Sequence, residues 1–515
     1  MYQSPFRTLA CAGALLLAIN LFAASGVAAA ERPNIVLIVA DDLSPDAGCY
    51  GNPVIKTPQL DALARDGVRL THAFATTASC SASRSVILTG LYNHANAHYG
   101  HEHAYHHFRA YDGLKSLPVL LTEAGYRTAR IGKLHVGPPE VFKWDETLPG
   151  NERNTVQMAE KCRGVIEAES DKPFFLYYCT GDPHRSGARV AGHADLADDL
   201  QPNAFGNKPG GFPGVEEVTY DPAEVIVPPF LPDTAACRAE LAQYYQSVSR
   251  VDQGLGRLVK LLKGAGKYDN TLIVFTSDHG MAFPGGKTTV YEPGLRVPLV
   301  VKLPGNRGQE SGDSSQGSGN RSQKSGNRKQ GPGGRKQGPG DMGRVSAAMV
   351  SHVDLTPTLL AAAGALPKNH QLQGRSWLQA IEEESPAGWD EVQASHTFHE
   401  ITMYYPMRVV RNREYKLIWN LAAPLPYPFA SDLWEAPTWQ EAFRRGPETP
   451  YGKRTVHDYI HRPKFELYNI KNDPDEIHNL AENPAYAETL TGLQAQLKAF
   501  QERTSDPWVL KWDYE

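Results

Sequence analysis

Three short apolar runs constrain this chain more than any other feature. Asn34-Ile35-Val36-Leu37-Ile38-Val39-Ala40 is apolar and β-branched along nearly its whole length, which predicts a strand buried on both faces, as in a parallel sheet. Pro173-Phe174-Phe175-Leu176-Tyr177-Tyr178 and Thr271-Leu272-Ile273-Val274-Phe275-Thr276 repeat the theme. Each run leads into polar residues at its C-terminal end: Asp41-Asp42, Asp182-Pro183-His184 and Ser277-Asp278-His279-Gly280. Asp and Gly are common turn formers, so one such end could be turn chemistry alone. Three in one chain predict a site, because open α/β sheets place their ligands beyond the carboxyl ends of the strands.

Helices are expected between the strands. Thr57-Pro58-Gln59-Leu60 has a Thr cap and Pro at the first helical position. Residues 234–264 carry a long amphipathic pattern, and 354–363 a shorter one. The fold class is therefore α/β, a large and mostly parallel sheet flanked by helices. The tail from about 385 reads differently. Met407-Arg408-Val409-Val410, Tyr415-Lys416-Leu417-Ile418-Trp419 and Phe465-Glu466-Leu467-Tyr468 predict antiparallel strands, with a turn at Asn472-Asp473-Pro474-Asp475 and a closing helix over 483–501. With 515 residues, the chain divides into a leader (1–30), a large N-terminal domain (31–384) and a smaller C-terminal α+β domain (385–515).

The leader has Arg7 in a positive n-region, a mostly apolar stretch over 8–24, and Val27-Ala28-Ala29-Ala30 before a cleavage point. This predicts a cleaved export signal. The mature chain would then work in a periplasmic, secreted or lysosome-like compartment. No later apolar run approaches the roughly 18 residues that span a bilayer. Five cysteines remain after the leader, at 49, 80, 162, 179 and 237. An odd number in a disulfide-favouring compartment predicts at least one that is unpaired or chemically special. Pairing among Cys49, Cys162, Cys179 and Cys237 stays open.

Residues 305–344 are rich in Gly, Ser, Gln and Asn, and Arg-Lys-Gln-Gly-Pro-Gly occurs at 328–333 and again at 335–340. So little apolar surface predicts a disordered insertion. Its eight Lys or Arg against three Asp or Glu make it basic, while the whole chain carries a net charge of −5. That balance speaks against a general nucleic-acid binder. An anionic substrate would be met by a local basic pocket.

The most informative segment is Cys80-Ser81-Ala82-Ser83-Arg84-Ser85-Val86-Ile87-Leu88-Thr89-Gly90. A cysteine opening a helix sits where backbone N–H groups and the dipole favour an anion. An ordinary catalytic thiolate would be stabilised there too, so spacing alone does not decide the chemistry. Cys-x-Ala-x-Arg followed by Leu-Thr-Gly resembles the signature of the type I sulfatases, with Ala82 at a position that is more often Pro. The resemblance runs from Asn34 to about Val509 apart from the insertion. Within the family it is similar to the heparan N-sulfatase branch, through Ile131-Gly132-Lys133-Leu134-His135-Val136-Gly137-Pro138, Asp182-Pro183-His184-Arg185, His399-Glu400-Ile401-Thr402-Met403 and Tyr405-Pro406-Met407-Arg408.

The resemblance implies the alkaline-phosphatase-like sulfatase fold and an exported sulfohydrolase. The expected substrate is the N-sulfate of non-reducing-end N-sulfoglucosamine in heparan-type glycans, and an O-sulfatase acting on another sulfated glycan is the alternative. It implies that Cys80 is oxidised to formylglycine by a maturing enzyme, and that a sulfate ester forms there transiently. A single calcium ion per chain is expected on Asp41, Asp42, Cys80, Asp278 and His279. The usual fourth protein ligand is Asn, and calcium prefers oxygen donors, so His279 leaves magnesium and manganese open. Arg84 would steady the nucleophile, and Lys133 and Lys287 would grip sulfate oxygens. His135 would act as the base and His184 as the acid on the leaving nitrogen. His399, Glu400 and Arg408 are the expected sugar-reading residues, with an inter-domain packing seam as the other reading. Close relatives are often dimers, so a homodimer is left open.

Overall fold

The computed structural model describes residues 32–305 and 343–514. The expected leader and nearly all of the expected insertion lie outside the described residues. Arg32–Glu515 forms one compact unit.

The large sheet contains β1 (Asn34–Ala40), β2 (Val68–Phe74), β3 (Arg127–Gly132), β4 (Glu146–Leu148), β5 (Phe174–Cys179), β6 (Thr271–Ser277), β7 (Leu299–Lys302) and β8 (Arg344–Ser351). Their spatial order is β4-β3-β5-β1-β6-β7-β2-β8. All neighbours run parallel except the pairs made by β7, which is antiparallel to both β6 and β2. The sheet is therefore mixed. The three apolar runs are β1, β5 and β6, and they lie side by side at its centre.

Every residue of β1 is buried, and its side chains alternate between two cores. Val36, Ile38 and Ala40 join the cluster under the long helix Ala235–Gly264, with Leu241, Val248, Leu255 and Leu262. Ile35, Leu37 and Val39 join the opposite cluster, which includes Leu117, Leu121, Leu355 and Leu359. Period-two alternation on a covered sheet explains why the run has no polar side. Each of its larger side chains contributes about 1.5–3 kcal/mol on burial. That outweighs a turn preference, so the strands fix where the polar ends must lie.

The second sheet has β9 (Glu391–His396), β10 (Met407–Asn412) and β11 (Tyr415–Asn420). After the small hairpin β12 (Pro450–Tyr451) and β13 (Arg454–Thr455) comes β14 (Phe465–Asn469). Its order is β14-β11-β10-β9, antiparallel throughout. The closing helix Ala487–Thr504 covers it through Leu493, Leu497 and Phe500, packed with Val410, Leu417, Trp419 and Leu467. Val86 belongs to the same cluster. The helix that starts at Cys80 is thereby fastened to the second sheet.

All five described cysteines are free and buried. Among the described residues no helix is long and apolar enough to cross a membrane.

Candidate active site

Four adjacent parallel strands, β3-β5-β1-β6, release their chains at one edge of the sheet. Lys133 and His135 follow β3, Asp182 to His184 follow β5, Asp41 and Asp42 follow β1, and Asp278 and His279 follow β6. The backbone there is tightly constrained. Gly132 has φ +82°, and a Cβ on it would come within 1.8 Å of the Cys179 carbonyl oxygen, so only glycine lets β3 turn out to Lys133. Asp42 and His135 take left-handed φ values of 64° and 59°. Non-glycine residues in that region cost of order 1–3 kcal/mol and cluster at functional sites.

Cys80 is the first residue of the helix Cys80–Thr89 and is fully buried. Its Sγ lies 3.6 Å from Asp42 Oδ1 and 3.3 Å from His279 Nε2. His279 Nδ1 lies 2.9 Å from the Gly280 carbonyl. The Gly280 carbonyl beside Nδ1 and the Asp42 carboxylate 3.0 Å from Nε2 can both only accept, so either ring nitrogen has a partner for a proton, and Nε2 is the one that faces the site. Asp278 Oδ1 accepts from the backbone N–H groups of Asp42 and His279, which joins the two strand ends. Arg84, one helical turn inside, donates to Asp278 at 3.0 Å and to Asp41 at 3.3 Å. Lys133 Nζ reaches both Asp41 oxygens, at 2.9 and 2.7 Å. Lys287 Nζ lies 3.1 Å from Asp42, 2.8 Å from His184 Nε2 and 2.8 Å from Asp432.

Ligand atoms of Asp42, Cys80, Asp278 and His279 lie within 4.8 Å of one another. Asp41 borders this group with its carboxylate held by Lys133 and Arg84. Four carboxylates, Asp41, Asp42, Asp278 and Asp432, thus face three cations, Arg84, Lys133 and Lys287, all essentially buried apart from Lys133. An arriving sulfate would bring charge with no partner, and like charges about 4 Å apart repel by about 4 kcal/mol near a protein surface. A divalent cation among the four ligands removes that penalty. Two carboxylates suit a hard ion, and an imidazole suits a borderline one. The donor set fits a divalent cation and does not by itself select calcium.

Burial pushes the Cys80 thiol well up, with Asp42 and Asp41 adding to the shift against Lys133 and Lys287. A neutral thiol is a poor nucleophile, so the arrangement disfavours ordinary thiolate catalysis. Burial also raises Asp278 despite Arg84, whereas Lys133 and Lys287 foremost overcome burial and hold Asp41 and Asp42 low. The least compensated carboxylate is thus one of the four candidate ligands. Burial and then Lys133 push His135 well down. His184 is lowered by burial and Lys287 against the pull of Asp42. Its Nδ1 lies 2.6 Å from the Arg185 carbonyl, so the proton sits there and Nε2 points inward.

His135 lies in an imidazole cluster, its ring 5.0 Å from that of His101 and hydrogen-bonded to His103. His399 joins the same cluster, 2.8 Å from His101 Nε2, and bonds Ser79 Oγ beside the nucleophile position. Glu400 does not point at open space; its carboxylate accepts from the N–H and hydroxyl of Ser431. Arg408 corrects the expectation. It is fully buried in β10, doubly paired to Asp506 at 2.5 and 3.0 Å and covered by Trp508. No sugar can reach it, so it belongs to a packing seam. Asp432 was not foreseen. It sits in Ala430-Ser431-Asp432-Leu433, which reads as an ordinary helix start with no chemical signal. A cavity of about 680 Å³ lined by Tyr92, Gln373, Arg375 and Arg503 shares no residue with this site.

The sulfatase family model matches residues 33–365. Human N-sulphoglucosamine sulphohydrolase is 38% identical over 507 residues, covering 94% of this chain and 93% of that protein. An ulvan-active sulfatase of Formosa agariphila is 28% identical, covering 89% and 78%. Among solved structures, one in complex with its substrate D-glucosamine-2-N,6-O-disulfate superposes with a TM-score of 0.62 at 20% identity, covering 92% of this chain and 98% of that one. The phosphonate monoester hydrolase of Agrobacterium radiobacter gives a TM-score of 0.60 at 20% identity, covering 92% and 96%. At that identity the likeness is one of fold, and the fold is the sulfatase, alkaline-phosphatase-like α/β architecture.

Proposed function

This chain belongs to the sulfatase family, and from that premise we propose that it is an exported sulfohydrolase cleaving the S–N bond of N-sulfoglucosamine at the non-reducing end of heparan-type glycans. The observation that carries the reading is the buried group of Cys80, Asp42, Asp278 and His279 ringed by Arg84, Lys133 and Lys287. The substrate class draws on the 38% identity, over nearly the whole chain, to a relative named for that sugar.

In this reading Cys80 is matured to formylglycine, whose hydrate supplies a hydroxyl nucleophile for sulfur. Asp42, Asp278 and His279, with Asp41 adjoining, would hold a divalent cation, expected to be calcium, which would supply Lewis acidity. Arg84 locks Asp278 and Asp41 and so fixes the helix start that carries residue 80. Lys133 and Lys287 bind sulfate oxygens, exchanging part of their carboxylate contacts for the substrate. His184 directs Nε2 at the leaving nitrogen and, once protonated, delivers a proton to it. His135, kept neutral by its surroundings, takes the proton that allows sulfate to leave residue 80.

The test is a substrate panel run after mass spectrometry of the peptide spanning residue 80 has shown thiol-to-aldehyde conversion. N-sulfoglucosamine should be turned over in preference to 6-O- and 2-O-sulfated sugars. Preferential release from an O-sulfated sugar would replace this reading with that of an O-sulfatase.

A further inference from the structure

We infer that Asp432 is the carboxylate that receives the nitrogen of the scissile bond, and is therefore the residue that favours an N-sulfate over an O-sulfate. This rests on the N-sulfatase reading above and names what the site uses to choose.

Asp432 lies on the short helix Ser431–Trp434, far in sequence from every strand end that builds the site. Two of the contacts that hold that helix come from the segment around 400–403. Leu433 is buried with Met403 and Ala430. The Glu400 carboxylate accepts from Ser431 N at 2.7 Å and from Ser431 Oγ at 2.8 Å. Glu400 is thus a positioning residue, and the side chain it positions is the next one along. Asp432 Oδ2 comes to 2.8 Å from Lys287 Nζ and 3.8 Å from His184 Nε2.

Exposure separates Asp432 from the other carboxylate on Lys287. The Asp42 side chain is 0% exposed, while that of Asp432 is 25% exposed. Asp42 lies on the closed side of Lys287, toward the candidate metal ligands, and Asp432 on its more open side. Lys287 keeps Asp432 ionised: burial raises its pKa, but Lys287 and His184 hold it well below the usual carboxylate range.

Lys287 Nζ lies 2.8 Å from both His184 Nε2 and Asp432 Oδ2, and two atoms 3.8 Å apart can reach a second such atom, on the side away from Lys287, at hydrogen-bond distances of about 2.8–3.0 Å. An atom placed there accepts the proton from His184 and faces the Asp432 carboxylate. A sulfamate nitrogen carries an N–H that can donate to it. As the S–N bond breaks, its electron pair stays on nitrogen and takes the proton from His184, which gives a neutral amine whose N–H groups donate to the carboxylate; a further proton from water turns that amine into an ammonium beside it. Such charge-assisted bonds are about twice as strong as neutral ones. The bridging oxygen of an O-sulfate has lone pairs and no hydrogen, so the same carboxylate repels it. Sites built to bond an N–H or O–H reject analogues that lack it more strongly than apolar pockets reject a missing methylene.

The experiment uses the matured full chain and the variants Asp432→Asn and Asp432→Glu. Asn keeps the size and one acceptor oxygen but removes the charge; Glu keeps the charge. The ratio of kcat/KM for N-sulfoglucosamine to that for glucosamine 6-sulfate should fall at least about 30-fold in D432N and recover in part in D432E. Calorimetric binding of glucosamine and of glucose, which has a hydroxyl in place of the amine, gives a readout free of turnover. Wild type should bind glucosamine at least about tenfold more tightly, and D432N should lose that preference. An unchanged ratio, an equal fall for both substrates, or an amine preference that survives in D432N would overturn the inference. A wild type that hydrolyses only O-sulfates yet shows the Asp432-dependent amine preference would overturn the N-sulfatase reading and leave amine recognition standing.

Discussion

Arg84 and Arg408 are both fully buried, and each is paired with carboxylate at close range. Arg84 sits where four parallel strands end, and its partners Asp41 and Asp278 are themselves strand-end residues. Arg408 sits inside an antiparallel strand, and its partner Asp506 caps the short helix Pro507–Leu510. The chemistry of the pair is the same, but the place in the fold decides the role. Parallel strands gather functional groups at one edge because all their ends point the same way. Antiparallel strands scatter them, so the second sheet serves the site through connecting segments such as 399–400 and 431–432.

The largest expected effect lies on the parallel side. Cys80→Ala removes the group that would become the nucleophile, so sulfate release should fall at least about 10⁴-fold, while the thermal midpoint moves little. Loss of fold along with activity would mean that Cys80 is a packing residue. The two arginines then give the sharpest contrast. Arg84→Met should lower kcat by about 10²–10³-fold in protein that still folds with a divalent ion present. Arg408→Met should cost about 3–5 kcal/mol of stability, because it leaves Asp506 buried and unpaired. The kcat of the R408M protein that remains folded should stay near wild type. If the two variants gave the same kinetic and thermal signatures, place in the fold would not be what separates them.

Asp506 adds a pH test. Burial raises its pKa, but Arg408 holds it below the usual range. A depressed carboxylate contributes stability that is present above its unfolded value and lost as pH falls toward its folded value. In wild type, chemical denaturation should show that loss on the acid side of the ordinary carboxylate range. In R408M the loss should largely vanish.

The imidazoles give a smaller effect. His135 is pushed well below the ordinary histidine value, so it stays neutral as pH falls through the range where free imidazole protonates. The acid limb of kcat/KM assigned to it should therefore lie below pH 6.5, and His135→Ala should remove that limb along with most activity. An acid limb at the free-imidazole position would assign the base elsewhere. Smallest of all, Glu400→Gln should lower kcat/KM for N-sulfoglucosamine by only about three- to tenfold, through looser placement of Asp432. An effect larger than that of D432N would make Glu400 itself a substrate contact.

Much of this was legible because β1, β5 and β6 are all-apolar runs followed at once by Asp, His or both, and a covered parallel sheet produces that pattern. The segment from Cys80 to Thr89 reads as a helix opened by its reactive residue, and it folds so. Arg408 stayed between two readings, sugar contact and packing seam, because a cation flanked by Met407 and Val409 looks the same whether its partner is a ligand or Asp506, 98 residues away. Asp432 carried no local signal. Its meaning comes from Lys287 and His184, 145 and 248 positions distant, which only the folded chain brings to it.

The central claim is that residue 80 and its acidic, cation-ringed corner transfer the sulfuryl group of an N-sulfate. The most direct measurement is parallel quantification of free sulfate and free glucosamine released from N-sulfoglucosamine by the matured protein and by C80A. The account predicts equal amounts of the two products from wild type and none above background from C80A. Release that persists in C80A, or a wild type that leaves N-sulfoglucosamine intact while desulfating an O-sulfated sugar, would contradict it.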